Sequence, residues 1–191
     1  MKKIIFTIML VLCIGIITCE EISPFGLRKG MTVAELTKID PKIKKNNEYT
    51  WTIKPPKPND MFNTYILKVS PETGLFQIIA MSGIIETNVY GHALLNQYTT
   101  IKEILIEKYG KPDTDINQLS YESIWDEPRD FMMSLYKEER VIGAMIKYND
   151  TIIGLRCIAL STDAGYITLT YEFDNAFDAI DKINKIKNSQ F

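Results

Sequence analysis

The chain has 191 residues, with 22 Lys and Arg against 24 Asp and Glu and a formal net charge of −2. Hydrophobic residues make up 46% and charged residues 24%, ordinary values for a globular protein with one real core or two small subdomains. A mildly acidic chain lacks the basic face that phosphates demand, which argues against nucleic acid as a partner.

Lys2 and Lys3 head an apolar run over residues 4–17 that stops abruptly at Thr18-Cys19-Glu20. The run is too short to cross ~30 Å of hydrocarbon, which takes ~20 helical residues, and its charge placement is that of a secretory signal peptide. Ile16-Ile17-Thr18-Cys19 resembles the bacterial lipobox, with Thr18 where glycine, alanine or serine is usual. That resemblance implies a diacylglyceryl group on Cys19, cleavage before it, and N-acylation, so that residues 1–18 are the leader and Cys19 binds the lipid bilayer. Each buried methylene contributes ~0.8 kcal/mol, and several chains make such an anchor nearly permanent. Glu20 stands where lipoproteins kept in the inner membrane typically carry Asp, which favours the outer membrane and a periplasm-facing domain. Loss of Lys2 and Lys3 with the leader takes the net charge from −2 to −4. Cys13 leaves with it and Cys19 is acylated, so Cys157 has no intrachain partner for a disulfide.

Residues 19–28 read as a tether and residues 29–191 as the folded part. Thr32 and Glu35 form a capping box opening a short helix through Ile39, stopped by Asp40-Pro41. Pro55, Pro56 and Pro58 make residues 41–60 a loop with one strand at 49–54. Residues 64–70 alternate as a strand, Pro71-Glu72-Thr73-Gly74 turns, and residues 75–82 return, with residues 84–90 extending the sheet. Leu94, Tyr98, Ile101, Leu105 and Tyr109 recur at helical spacing, and Gly110-Lys111-Pro112 ends that helix. Residues 113–127 read as loop with a short strand around Ser123. Pro128 opens a helix carrying Phe131, Met132 and Leu135. A three-stranded meander follows at 141–148, 151–161 and 165–173, its last strand turning Ile167, Leu169, Tyr171 and Phe173 one way. Asp174 caps a closing helix through residue 187, with Phe177, Ile180 and Ile183 inward. The fold class is therefore α+β, antiparallel sheets with packed helices. Thr32 to Leu36 and Thr100 to Ile104 share a Thr, an aliphatic, a Glu and an aliphatic in register, so two helix-plus-meander subdomains divided near 90–112 stand beside a single domain.

The residues exclude more chemistry than they offer. His92 is the only histidine, which rules out a His-based triad and a multi-His zinc site and leaves His92 a surface or capping residue. Cys157 shares a strand face with Ile153, Leu155 and Ala159 and reads as a buried, inert thiol. Asp113 and Asp115 resemble the start of a calcium loop, but the glycine and distal glutamate of an EF-hand are missing, which makes them a solvated turn. Glu138-Glu139-Arg140 reads as a solvated face. No phosphate loop, nucleophile elbow or redox cysteine pair is present, so neither a metal nor a cofactor is expected. Trp125-Asp126-Glu127-Pro128-Arg129 admits two readings. Trp125 and Arg129 are typical interface anchors; equally, the acids suit a helix N-terminus, with Trp125 plugging the core.

Gly26, Gly30, Met31, Thr32 and the helix running to Leu36 resemble the opening motif of outer-membrane-assembly lipoproteins of the BamE/SmpA type. Leu105 with Tyr109-Gly110-Lys111-Pro112 is similar to the way a helix of that family ends. The resemblance implies helices against an antiparallel sheet and action by partner binding, not catalysis. The leading expectation is a non-enzymatic envelope lipoprotein that binds another envelope protein as accessory or scaffold. The alternatives are an inhibitor or immunity-type protein against a secreted enzyme, a small-ligand-binding lipoprotein and, last, a hydrolase.

Overall fold

Thr32 opens the first helix by the mechanism its spacing predicts. The Glu35 N–H donates to Thr32 Oγ1 at 3.3 Å, and the Thr32 N–H donates back to Glu35 Oε2 at 2.8 Å. That second bond favours the charged carboxylate and holds the Glu35 pKa below its ordinary value. The computed structural model describes residues 22–188, with side chains through Ile186. The leader and Cys19 lie outside the described residues. The expected tether through Arg28 is shorter than that, because Pro24 and Leu27 are already buried. Phe25, at φ 57°, packs edge-on against Phe62, Tyr65 and Tyr171 with centroids 4.9–6.1 Å apart.

The elements follow in chain order as α1 Val33–Ile39, β1 Lys44–Lys45, β2 Thr50–Thr52, β3 Thr64–Ser70, β4 Gly74–Met81, β5 Ile85–Glu86 and α2 His92–Tyr109. Then come β6 Thr114–Leu119, a 3-10 turn at Pro128–Asp130 running into α3 Phe131–Tyr136, β7 Arg140–Tyr148, β8 Thr151–Ala159, β9 Ala164–Phe173 and α4 Ala176–Asn188. The protein is α+β. Its strands form one nine-stranded antiparallel sheet in the order β1-β2-β3-β4-β9-β8-β7-β6, with β5 pairing the start of β9. The two halves meet at the centre of the sheet, where β4 pairs with β9.

Period-two alternation sends Trp51, Leu67, Ile78, Leu169, Leu155 and Ile146 to one face, where they are buried with Leu36 of α1, Leu94, Tyr98, Ile101 and Leu105 of α2 and Met132 of α3. One apolar cluster therefore spans both halves of the chain. At the β3–β4 turn, Gly74 has φ +71° and touches the backbone of Gly30, while the Gly30 N–H donates to Leu75 O and the Leu75 N–H to Met31 O, both at 2.8 Å. The segment before α1 is thus stitched to the hairpin tip.

Six expectations need correction. The second-half strand before α3 is Thr114–Leu119, not a strand around Ser123; β6 is exposed along nearly its whole length and held by backbone pairing to β7, so no apolar alternation marks it. Lys44–Lys45, read as loop, forms the other edge, and of residues 84–90 only Ile85–Glu86 pairs. Asp115 sits in β6 with its carboxylate 2.9 Å from Lys102 Nζ, so it is not part of a free turn. In α4 the inward face is Ala176, Ala179 and Ile183, packed on Phe76, while Phe177 is 80% exposed and Ile180 is exposed as well. Alanines let the helix approach Phe76 closely, a choice that spacing alone does not dictate. Asp174 pairs with Lys29, and the Ala179 N–H donates to Asn175 O, so the helix starts one residue later.

Candidate docking face of the sheet

The residues alternating with the core set form a second face. Strand register lines up Ile66, Ile79, Thr170, Gly154, Met145 and Thr114 across β3, β4, β9, β8, β7 and β6. The next row is Met81, Thr168, Arg156, Gly143 and Ile116. The apolar members of both rows are half-buried or exposed, in contrast to the fully packed opposite face. Between them lies an apolar depression of about 740 Å³ lined by residues of β4, β6, β7, β8 and β9. Its floor passes over two glycines in neighbouring strands. Glycine inside a strand gives up packing and often marks where another backbone approaches. A Cβ on Gly154 would meet only Thr170 Cβ, at 4.0 Å, so the local fold does not require glycine there.

The face is basic although the protein is acidic. Lys44, Lys68, Lys147 and Arg156 project from it, against the carboxylates of Glu86 and Glu172. Gln77 Nε2 donates to Glu172 Oε2 at 2.8 Å. Among the described residues the four cations form none of the salt bridges, which fall instead at Lys29, Lys102, Lys182 and Lys185.

A smaller recess of about 370 Å³ lies on the helical side, between the 3-10 turn at Pro24–Gly26 and α2. Phe25, Phe62, Leu105, Tyr109 and Tyr171 supply its apolar wall, with Lys57 and Lys108 at its margin. Burial foremost, then the neighbouring Tyr109, pushes the Tyr171 phenol above its ordinary range.

Of the residues singled out from sequence, Cys19 lies outside the described part. Trp125 is half-buried in the loop after β6, its N–H donating to Ser123 Oγ at 3.1 Å, and Arg129 is exposed in the 3-10 turn. Neither lines the apolar depression or the recess. No periodic or motif signal marks Gly143, Gly154 and Arg156, which shape the open face. The available signal was a pair of glycines inside otherwise apolar, β-branched strands. Cys157 is buried and free, and desolvation raises its pKa to about 12, which keeps it a thiol. Burial, with Asp115 and Cys157 as lesser causes, also raises Tyr98, whose buried hydroxyl has no hydrogen-bond partner among the described residues. His92 is an exposed first residue of α2, its Nδ1 3.1 Å from Asn88 Nδ2. Among the described residues no group of three His, Cys, Asp or Glu side chains is placed to hold a metal ion, and no helix is long and apolar enough to cross a membrane.

These features define an α+β protein whose sheet is covered on one face by α1, α2 and α3, carries α4 in a separate cluster on Phe76, and presents an apolar depression on its other face. No family model matches the chain, and no match was found among curated proteins or solved structures.

Proposed function

We propose that the chain is a periplasm-facing lipoprotein, anchored through Cys19, that acts by binding another envelope protein on the open face of its sheet. The observation that carries this reading is the uncovered apolar depression, with Arg156 in its lining and Lys44, Lys68 and Lys147 elsewhere on the same face; among the described residues none of the four forms a salt bridge. A sheet that buries only one face ordinarily presents polar residues on the other, and a contiguous exposed apolar patch marks an interaction site. With four residues between Cys19 and Pro24, at most about 3.5 Å each, the domain stands within about 18 Å of its anchor. The contacts would be made close to the bilayer surface. An inhibitor of a secreted enzyme would use the same face. The aromatic recess beside α2 supports a second reading, a small apolar ligand held near the membrane, since such sites begin at ~300 Å³.

The anchor is tested by Cys19→Ser, expected to release the protein from membranes and abolish lipid labelling; unchanged fractionation rejects it. The docking face is tested in cells with a benzoylphenylalanine crosslinker at Ile158, on the open face, or at Glu103, on α2. Adducts to another envelope protein are expected from Ile158 alone. Gly154→Val should weaken that capture by roughly tenfold or more, by filling the floor, while folding stability stays equal or rises by about 0.5–1 kcal/mol, since strand glycine is costly. Equal adduct yields from both positions would sink the assignment.

A further inference from the structure

The loop that follows β6 carries the chemistry that the open face lacks. Tyr121 is 103% and Ile124 76% exposed, an apolar tip standing free of its own domain. Glu122, Asp126 and Glu127 flank it, and none forms a salt bridge among the described residues. The face opposite is apolar at its floor and carries Lys147 and Arg156, likewise without salt-bridge partners.

The edge between loop and depression is open as well. Among the described residues β6 pairs with β7 alone, leaving its outer backbone groups free. Natural edges are usually blunted by proline, a bulge or a projecting charge. β6 has six residues, no proline and an unbroken register, and its one charge, Asp115, is turned to Lys102 of α2. Thr114 pairs with Met145, and Leu119 with Arg140, so the N-terminal end of β6 adjoins Met145 and Lys147 and the C-terminal end leads into the loop.

We infer that a second copy of this chain occupies the open face: two β6 edges pair antiparallel about a two-fold axis, and each loop 120–127 folds over the other copy's depression. The two-fold brings the loop leaving one β6 to the N-terminal end of the other. There Tyr121 and Ile124 cover Met145 and the two glycines, and Glu122 and Asp126 meet Lys147 and Arg156 of the second copy. The contact is reciprocal and closes on itself, as stable dimers do. Each tyrosine buries about 200 Å², toward the ~1,200–2,000 Å² of a stable interface. The inference rests on reading this face as a docking surface, and the envelope partner would then compete with the second copy for it.

The test is sedimentation of the full lipid-anchored chain in mild detergent, one protein per micelle or two. Wild type is expected to be dimeric at micromolar concentration. Lys147→Glu with Arg156→Glu, and separately Glu122→Lys with Asp126→Lys, should each weaken the dimer by about tenfold or more, and mixing the two variants should restore it as a heterodimer. All four positions are half-exposed or exposed, and circular dichroism confirms that the variants fold. A wild-type chain that stays monomeric, or a dimer indifferent to both charge reversals, overturns the inference. If the chain is monomeric while the Ile158 crosslinker captures another envelope protein, the docking face stands and the second copy falls. A charge-dependent dimer with no other protein captured leaves the second copy as occupant and removes the envelope partner.

Discussion

Gly74→Ala is expected to lower unfolding stability by about 3 kcal/mol or more, a loss read as a drop in urea midpoint with unchanged slope. Two causes combine. Gly74 has φ +71°, where an L side chain is strained, and its Cβ would fall far inside van der Waals contact with the Gly30 backbone carbonyl. Backbone strain of this kind costs about 1–3 kcal/mol. The clash adds to it, because the obstacle is main chain and has no rotamer to yield with. Relief requires pulling residues 29–31 away from the hairpin, which breaks the Gly30 to Leu75 and Leu75 to Met31 hydrogen bonds. Gly110→Ala is the control. Gly110, after α2, has φ +93° with nothing within 4 Å of where a methyl would stand, so only the conformational cost of about 1 kcal/mol applies. Equal losses for the two variants would show that the Gly30–Gly74 approach carries no stability of its own.

Alkaline pH is expected to unfold the protein through groups buried under α2. In the native state Cys157 holds its proton up to about 12 because burial opposes the thiolate, whereas the unfolded thiol ionises near its ordinary value of 9.0. Above that ordinary value the unfolded chain binds fewer protons than the native one, so stability falls as pH rises. The contribution is fully present below pH 9 and lost as pH climbs through 12, a span worth on the order of 4 kcal/mol for a group displaced this far. Tyr98 and Tyr171 are raised by burial too and steepen the upper part of the same window. Stability measured from pH 8 to 12 should decline with a slope that Cys157→Ala reduces, at the expense of a small cavity. A slope identical in wild type and variant would place the alkaline sensitivity elsewhere.

Legibility in the sequence tracked how local each determinant is. The Thr32–Glu35 box, the strand at 64–70 and the helix stopped by Gly110 depend on residues three or four apart, and each formed where spacing indicated. β6 escaped notice because an edge strand exposed on both faces carries no periodic signal; the backbone of β7 makes it a strand. In α4 two apolar stripes lie about one hundred degrees apart, and the docking of small alanines onto Phe76 selected the one that Phe177 does not share. Trp125 and Arg129 stood out as large, anchor-type residues, yet the depression is shaped by what is missing at Gly143 and Gly154.

Local chemistry, then, determined the helices, the hairpin, the burial of Cys157 and the absence of a histidine-based site. The lipobox-like segment at Cys19 is a resemblance of sequence alone and lies outside the described residues. Only the tertiary structure decided that β4 and β9 pair, merging both halves around one core. That pairing also lines up rows from β3 to β6 into an open basic face on an acidic protein. The reason is range. Capping and periodicity act within a turn or two of chain, whereas a face exists only once strands up to about a hundred residues apart have fixed their register.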